Sequence, residues 1–262
     1  HNDYGADMAD RHSDLLGTEL SPLVKGPTRK SVIQLNHAGA LEANVKGLNR
    51  NIFPYLQAKD DHHPPVDWPE FSRLFSSQDR YMKEVMGEHP DTYMLVTSQE
   101  GLSVAMQNGG RIGVFKSVEG MSQVIDIAPW KAAHFLANSG IQVLDLMWNY
   151  NTDVGDSHTT SEDMGLTLKG AEFLKTCDNY GIPVFDVSHA SPRTAMDMLR
   201  IIGPNRRVIA SHTGARISDV SEKTRNITDD VATSILERKG IVGIATAGGM
   251  LGGKTLDHLV EA

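Results

Sequence analysis

The chain has 262 residues, 40% hydrophobic and 22% charged, the composition of an ordinary globular protein with enough apolar material for a sizeable core. Its 25 basic and 33 acidic side chains leave a net charge of −8, which argues against nucleic acid as the main partner, because phosphate binding needs a basic face. The single cysteine, Cys177, excludes an intrachain disulfide and so a stapled secreted scaffold, and no apolar run reaches the ~20 residues of a membrane span.

The chain opens on His1-Asn2-Asp3 with no methionine. The native start is therefore read as removed or left out, and the compartment stays open between cytoplasm and periplasm or secretion. Residues 32–50 hold a strand and part of a helix. Residues 59–70, KDDHHPPVDWPE, are polar and proline-rich and read as a loop, with His62 and His63 solvated. An amphipathic helix over 71–86 carries an apolar stripe of Phe71, Leu74, Phe75, Tyr81, Met82 and Val85. From about residue 110 short β-branched runs recur at 111–120, 140–148, 181–189, 206–212 and 240–245. Helices separate them. One spans 166–180, with Thr167 as N-cap and Gly181 beyond its end. A second spans 191–202, capped by Ser191 with Pro192 in the first turn. A third spans 228–240, with Asp229 and Asp230 at its start, Arg238 and Lys239 at its end and Gly240 as terminator. Cys177 falls in a helix and reads as a small buried hydrophobe. Strand–helix alternation at this spacing predicts an α/β fold with a parallel sheet, closed barrel or open doubly wound; no glycine-rich phosphate loop favours the open form.

Three apolar runs end in residues that bind metals. Glu119 closes the first, His189 follows Asp186-Val187-Ser188 at the end of the second, and His212 lies in Ser211-His212-Thr213 at the end of the third. Loops after parallel strands converge on one face, so a carboxylate and two imidazoles can meet there. His1 and Asp3, two apart in extended chain, point to one side and can grip an ion together. Imidazole nitrogen and carboxylate oxygen suit zinc or a similar cation. Five ligands exceed the need of one catalytic zinc. The economical arrangement has two ions, His1 and Asp3 on one, His189 and His212 on the other, and Glu119 bridging. A bridging water would be deprotonated near neutral pH and attack a polarised carbonyl.

These residues resemble the renal (membrane) dipeptidases, a branch of the amidohydrolase-type metal-dependent hydrolases. HND resembles the family's opening metal triplet and VFKSVEG its strand ending in a bridging glutamate. GLTLKGAEFLKTCDNYGIPVFDVSHAS resembles its helix, strand and Ser-His segment. VIASHTGAR with RNITDD resembles its next strand and basic loop. The resemblance implies a (β/α)8 TIM-type barrel, two zinc ions and hydrolysis of dipeptides. It assigns His1, Asp3, Glu119, His189 and His212 to metal and Arg225 to the substrate's carboxylate, which a guanidinium binds bidentately.

The sequence departs from the family at two places. Trp148 stands where the family has a histidine that stabilises the tetrahedral intermediate; indole donates one hydrogen bond but carries no charge. His158, in the following loop, is a candidate substitute for that histidine but reads first as solvated, and Asn149 and Asn151 are further candidate donors. After Ala245 nothing resembles the family's last strand with its proton-shuttle aspartate, and Asp257 is a poor stand-in. The chain is therefore expected to be a single barrel domain, 1–262, truncated at the start of the first strand and before the last. The leading expectation is a zinc dipeptidase with a small dipeptide as partner and assembly as a homodimer left open. The alternatives are a metallohydrolase of the same type acting on another amide, a lactone or an ester, with Trp148 as an apolar wall, and a degenerate metal-binding homologue.

Overall fold

A computed structural model describes residues 47–52, 67–107, 111–123, 128–214 and 225–245. They fall into two compact units divided between Val118 and Glu119. In the first unit, β1 (Gly47–Ile52) and β2 (Tyr93–Leu95) flank β3 (Ile112–Val118), both parallel to it, with Gly47 opposite Gly113 and Tyr93 opposite Ile112. Helices α1 (Trp68–Glu88) and α2 (Gln99–Gln107) belong to the same unit. The expected loop over 59–70 is overturned at its end. Trp68-Pro69-Glu70 is the first turn of α1, because Asp67 caps it: Glu70 N donates to Asp67 Oδ1 at 2.9 Å, and proline is tolerated in a first turn. The apolar stripe holds at Phe71, Leu74, Phe75 and Met82, all buried, with Gln78 on the same face. A buried ion pair, Lys116 Nζ to Asp79 Oδ1 at 2.6 Å, ties β3 to α1.

The second unit alternates strand and helix: α3 (Pro129–Asn138), β4 (Val143–Asp145), α4 (Leu168–Asn179), β5 (Val184–Asp186), α5 (Pro192–Ile201), β6 (Arg207–Thr213), α6 (Asp229–Glu237) and β7 (Val242–Ile244). Strands β4 to β7 pair in parallel in chain order. Asp145 faces Asp186 across β4 and β5, and Asp186 faces Ile209 across β5 and β6. Parallel neighbours joined by helices bury both faces, which explains the continuous apolar runs: Leu144, Phe185 and Val208 are fully buried. Residues 119–122 run beside β4, with Gly120 N donating to Asp145 O at 3.0 Å and Ser122 N to Leu146 O at 2.8 Å.

The caps expected at Thr167 and Ser191 are present. Their hydroxyls accept from Gly170 N at 3.2 Å and Thr194 N at 3.1 Å. Cys177 is fully buried, and burial pushes its thiol up. The end of α6 differs from expectation. The left-handed residue is Lys239, φ +56°, not Gly240. Gly240 is required for close approach instead, since a Cβ there would sit 2.0 Å from Val208 O. Arg238 serves another helix, its guanidinium donating to the last carbonyls of α5, Leu199 O and Ile202 O. Among the described residues no helix is long and apolar enough to cross a membrane.

Candidate metal centre

The ends of the second unit's strands carry the site. Glu119 follows β3 directly and is buried. Asp145 and Asp186 end β4 and β5. His189 lies three residues past β5, and His212 is the penultimate residue of β6. His189 has φ +63°, a conformation uncommon for residues other than glycine and one that surrounding bonds must hold. They do so: Ser188 N donates to Asp186 Oδ1 at 2.9 Å, Ala190 N to Val187 O at 3.1 Å, and His158 N to His189 O at 2.8 Å.

The three predicted ligands in this region converge. His189 Nε2 lies 3.0 Å from Glu119 Oε1 and 2.9 Å from His212 Nε2, with His212 Nε2 3.9 Å from the same carboxylate oxygen. The outward nitrogens are engaged elsewhere, His189 Nδ1 with Asn149 Oδ1 at 2.8 Å and His212 Nδ1 with Ser211 Oγ at 2.8 Å. An imidazole that donates Nδ1–H to a carbonyl oxygen presents an unprotonated Nε2. Such a nitrogen on His189, the Nε2 of half-buried His212 and the Glu119 carboxylate oxygen, drawn together, make a candidate donor set that suits a divalent cation.

A second triad shares His212. One ligand atom each from Asp145, Asp186 and His212 lie within 4.8 Å of one another, as do one each from Glu119, His189 and His212. Asp186 Oδ1 accepts from Ser188 N, from Ser188 Oγ at 2.7 Å and from Ser211 N at 3.0 Å. Asp145 is buried among like charges. Burial first, then Asp186 and Glu119, hold its carboxyl well above the usual carboxylate range, while Arg225 acts in the opposite sense. Sequence reading passed over both aspartates because each sits inside an apolar strand run. Their signal was a charge in a strand covered on both faces.

Arg225 is buried beside this cluster, its Nη2 donating to His212 O at 2.9 Å. Trp148 is half-buried and packs edge-on to Tyr150 at 5.3 Å. Asn149 turns inward to the histidines. Asn151, the other candidate donor, accepts from Ser157 N at 2.9 Å and so braces the loop. His158 differs from the solvated expectation. Its Nε2 bonds Asn149 Oδ1 at 3.0 Å and its ring lies 5.6 Å from that of His189. Burial, then the His189 and Arg225 charges, hold its pKa down at about 3. His1, Asp3 and Asp257 lie outside the described residues.

A sequence model of the membrane dipeptidases, peptidase family M19, matches residues 8–261. An uncharacterized protein from the PQQ-III 3′ region of Acinetobacter calcoaceticus is 28% identical over 111 residues, 40% of this chain. The matched part spans 34% of that relative's length. Two solved structures are similar over 100% of this chain at 19% identity. One is a family M19 metallopeptidase, dipeptidase AC, with a TM-score of 0.75 and 78% of that chain covered. The other is a metallopeptidase from Rhodobacter sphaeroides liganded with a phosphinate mimic of the dipeptide L-Ala-D-Ala, with a TM-score of 0.76 and 80% covered. At that identity the likeness is one of fold.

Proposed function

The chain belongs to the membrane dipeptidase family, peptidase family M19, and on that premise we propose that it is a zinc-dependent dipeptidase with a two-zinc centre. The observation that carries this reading is the meeting of Glu119 Oε1, His189 Nε2 and His212 Nε2, with both Nδ1 atoms already engaged. His189 and His212 would hold one zinc, with Glu119 shared between it and the other. His1 and Asp3 would hold the second, on the strength of the family resemblance alone. They precede the matched residues 8–261. The seven described strands are read as part of one (β/α)8 barrel domain, supported by parallel pairing with helical crossovers and by the fold of the similar structures.

Divalent zinc acidifies a water and polarises a carbonyl. The chain's own residues do the rest. Asn149 fixes the tautomer and ring plane of His189, Ser211 braces the ring of His212, and Arg225 offers its planar fork to the carboxylate of a dipeptide. Trp148 contributes an N–H and an apolar face but no charge. The net charge of −8 disfavours nucleic acid as a partner, and Arg225 supplies the local positive charge that a dipeptide's carboxylate needs. The Trp148–Tyr150 pair favours a second reading, in which the same metals act on another amide, a lactone or an ester.

The test is a panel of dipeptides, with L- and D-residues at the C-terminal position, assayed on the full-length protein with zinc content measured in parallel. About two zincs per chain, hydrolysis of at least one dipeptide, loss on chelation and loss in Glu119→Gln are expected. A fully active Glu119→Gln protein refutes the assignment. Two bound zincs with no dipeptide cleaved and a lactone or ester turned over select the second reading.

A further inference from the structure

His189 is held at its backbone and at its ring. The backbone is left-handed, φ +63°, and its carbonyl accepts from His158 N at 2.8 Å. The ring's Nδ1 meets Asn149 Oδ1 at 2.8 Å, and His158 Nε2 meets the same oxygen at 3.0 Å. Both grips therefore lead to His158. The main chain around it runs alongside the ligand segment, with Ser157 bridged to Ala190 and Ser191 N donating to Asp156 O at 3.0 Å. The imidazole of His158 serves no other described group: its Nδ1 is buried without a hydrogen-bond partner among the described residues.

An amide oxygen has two lone pairs and donates nothing, so both imidazoles donate to Asn149 Oδ1. The backbone of Asn149 is pinned separately, Thr159 Oγ1 donating to its carbonyl at 2.9 Å. Rotation of the amide is then the freedom that matters. Turned over, it would present Nδ2 to both rings and break two bonds together, where without His158 it would break one. The direction of the bond at His189 Nδ1 decides the tautomer. A donated Nδ1–H leaves Nε2 bare, and the reversed bond puts the proton on Nε2. Only the bare nitrogen can bind a cation beside Glu119 Oε1, 3.0 Å away, and His212 Nε2, 2.9 Å away. Resting on the metal-centre reading above, we propose that His158 is a positioning residue of that centre, acting through Asn149 to keep His189 Nε2 unprotonated and aimed at the ion. It joins the amide on the Nδ1 side of His189, away from Nε2, so its part is to place a ligand and not to be one.

The experiment uses the full-length protein with His158→Leu, which removes the side-chain donor and keeps the backbone grip, and His158→Gln, whose amide nitrogen takes the place of the imidazole Nε2. Zinc affinity is read by chelator competition, the cobalt(II) absorption bands report the ligand geometry, and imidazole nitrogen NMR of the metal-free protein reports the tautomer of His189. In His158→Leu, zinc affinity is expected to fall by about 10-fold, the cobalt bands to change, and the Nε2-protonated form of His189 to appear. His158→Gln is expected to recover most of all three. In an Asn149→Ala background His158→Leu should cost nothing more, because the effect passes through that amide. Circular dichroism checks folding, and His158→Phe replaces the leucine variant if that one does not fold. Unchanged affinity, bands and tautomer in the folded variant overturn the proposal, as does a full further loss in the Asn149→Ala background. A wild-type protein that takes up no metal, indistinguishable from His189→Ala, overturns the metal-centre reading instead, and the metal-free tautomer then decides the role of His158 by itself.

Discussion

Asn149 Oδ1 accepts from two imidazoles, His189 Nδ1 at 2.8 Å and His158 Nε2 at 3.0 Å. One amide thus sets the tautomer of a candidate ligand and of its neighbour. Asn149→Ala is expected to weaken zinc binding by about 10- to 100-fold, the usual effect of losing a ligand's hydrogen-bond partner, as read by chelator competition; unchanged affinity would mean that the ring is held otherwise. His158 carries a pH signature. Its pKa is about 3 when folded, against the ordinary 6.5, so the unfolded chain takes up the proton first. Its contribution is complete above about pH 6.5 and is lost as pH falls toward about 3. The metal-free Tm of His158→Gln should therefore drop less than wild type between pH 7 and pH 5, and parallel drops would count against a buried neutral ring. At this scale Glu119, His189 and His212 were legible because polar groups ending apolar runs need a reason. Asn149 was legible only as a candidate donor. His158 was legible as a candidate substitute but read first as solvated, because partners nine and thirty-one residues away leave no local pattern.

The helix ends show how local chemistry and packing divide the work. Ser191 caps α5 and also donates to Asp163 Oδ1 at 2.6 Å. Lys239 occupies the left-handed position after α6 while Gly240 fits against Val208 O. Lys239→Gly should leave stability unchanged or raise it by up to about 1 kcal/mol. Gly240→Ala should cost about 1–3 kcal/mol, because backbone rather than a movable side chain opposes the new methyl. Denaturant titration checks both, and a harmless Gly240→Ala would show that β6 and α6 can separate. The caps at Thr167 and Ser191 were readable because N-cap chemistry is local. The exchange of roles between Lys239 and Gly240 was not, since the contact that constrains Gly240 comes from β6. The short β2 carried no pattern of its own, and its place comes from pairing with β3.

Every described candidate ligand lies after Val118, in the second of the two units. Removing metal should therefore act unevenly. A centre saturated at about 100 times its Kd contributes about 2.7 kcal/mol. Chelation is expected to lower hydrogen-exchange protection in β4 to β7 while α1 and β3 change little. A uniform loss would show that the two units open together. Strand–helix alternation after residue 110 announced these elements, because right-handed crossovers of this length leave few other topologies. The first third gave weaker signals, and the triplet at its start lies outside the described residues. Asp186 has a consequence beyond folding. Its Oδ1 gathers Ser188 and Ser211, and Ser188 Oγ in turn accepts from His212 N at 3.3 Å. The segments bearing the two histidines are thus yoked to one carboxylate before any ion arrives. An arriving ion is captured by a finished socket instead of assembling it, so Asp186→Asn should slow zinc association in stopped-flow mixing more than it speeds release.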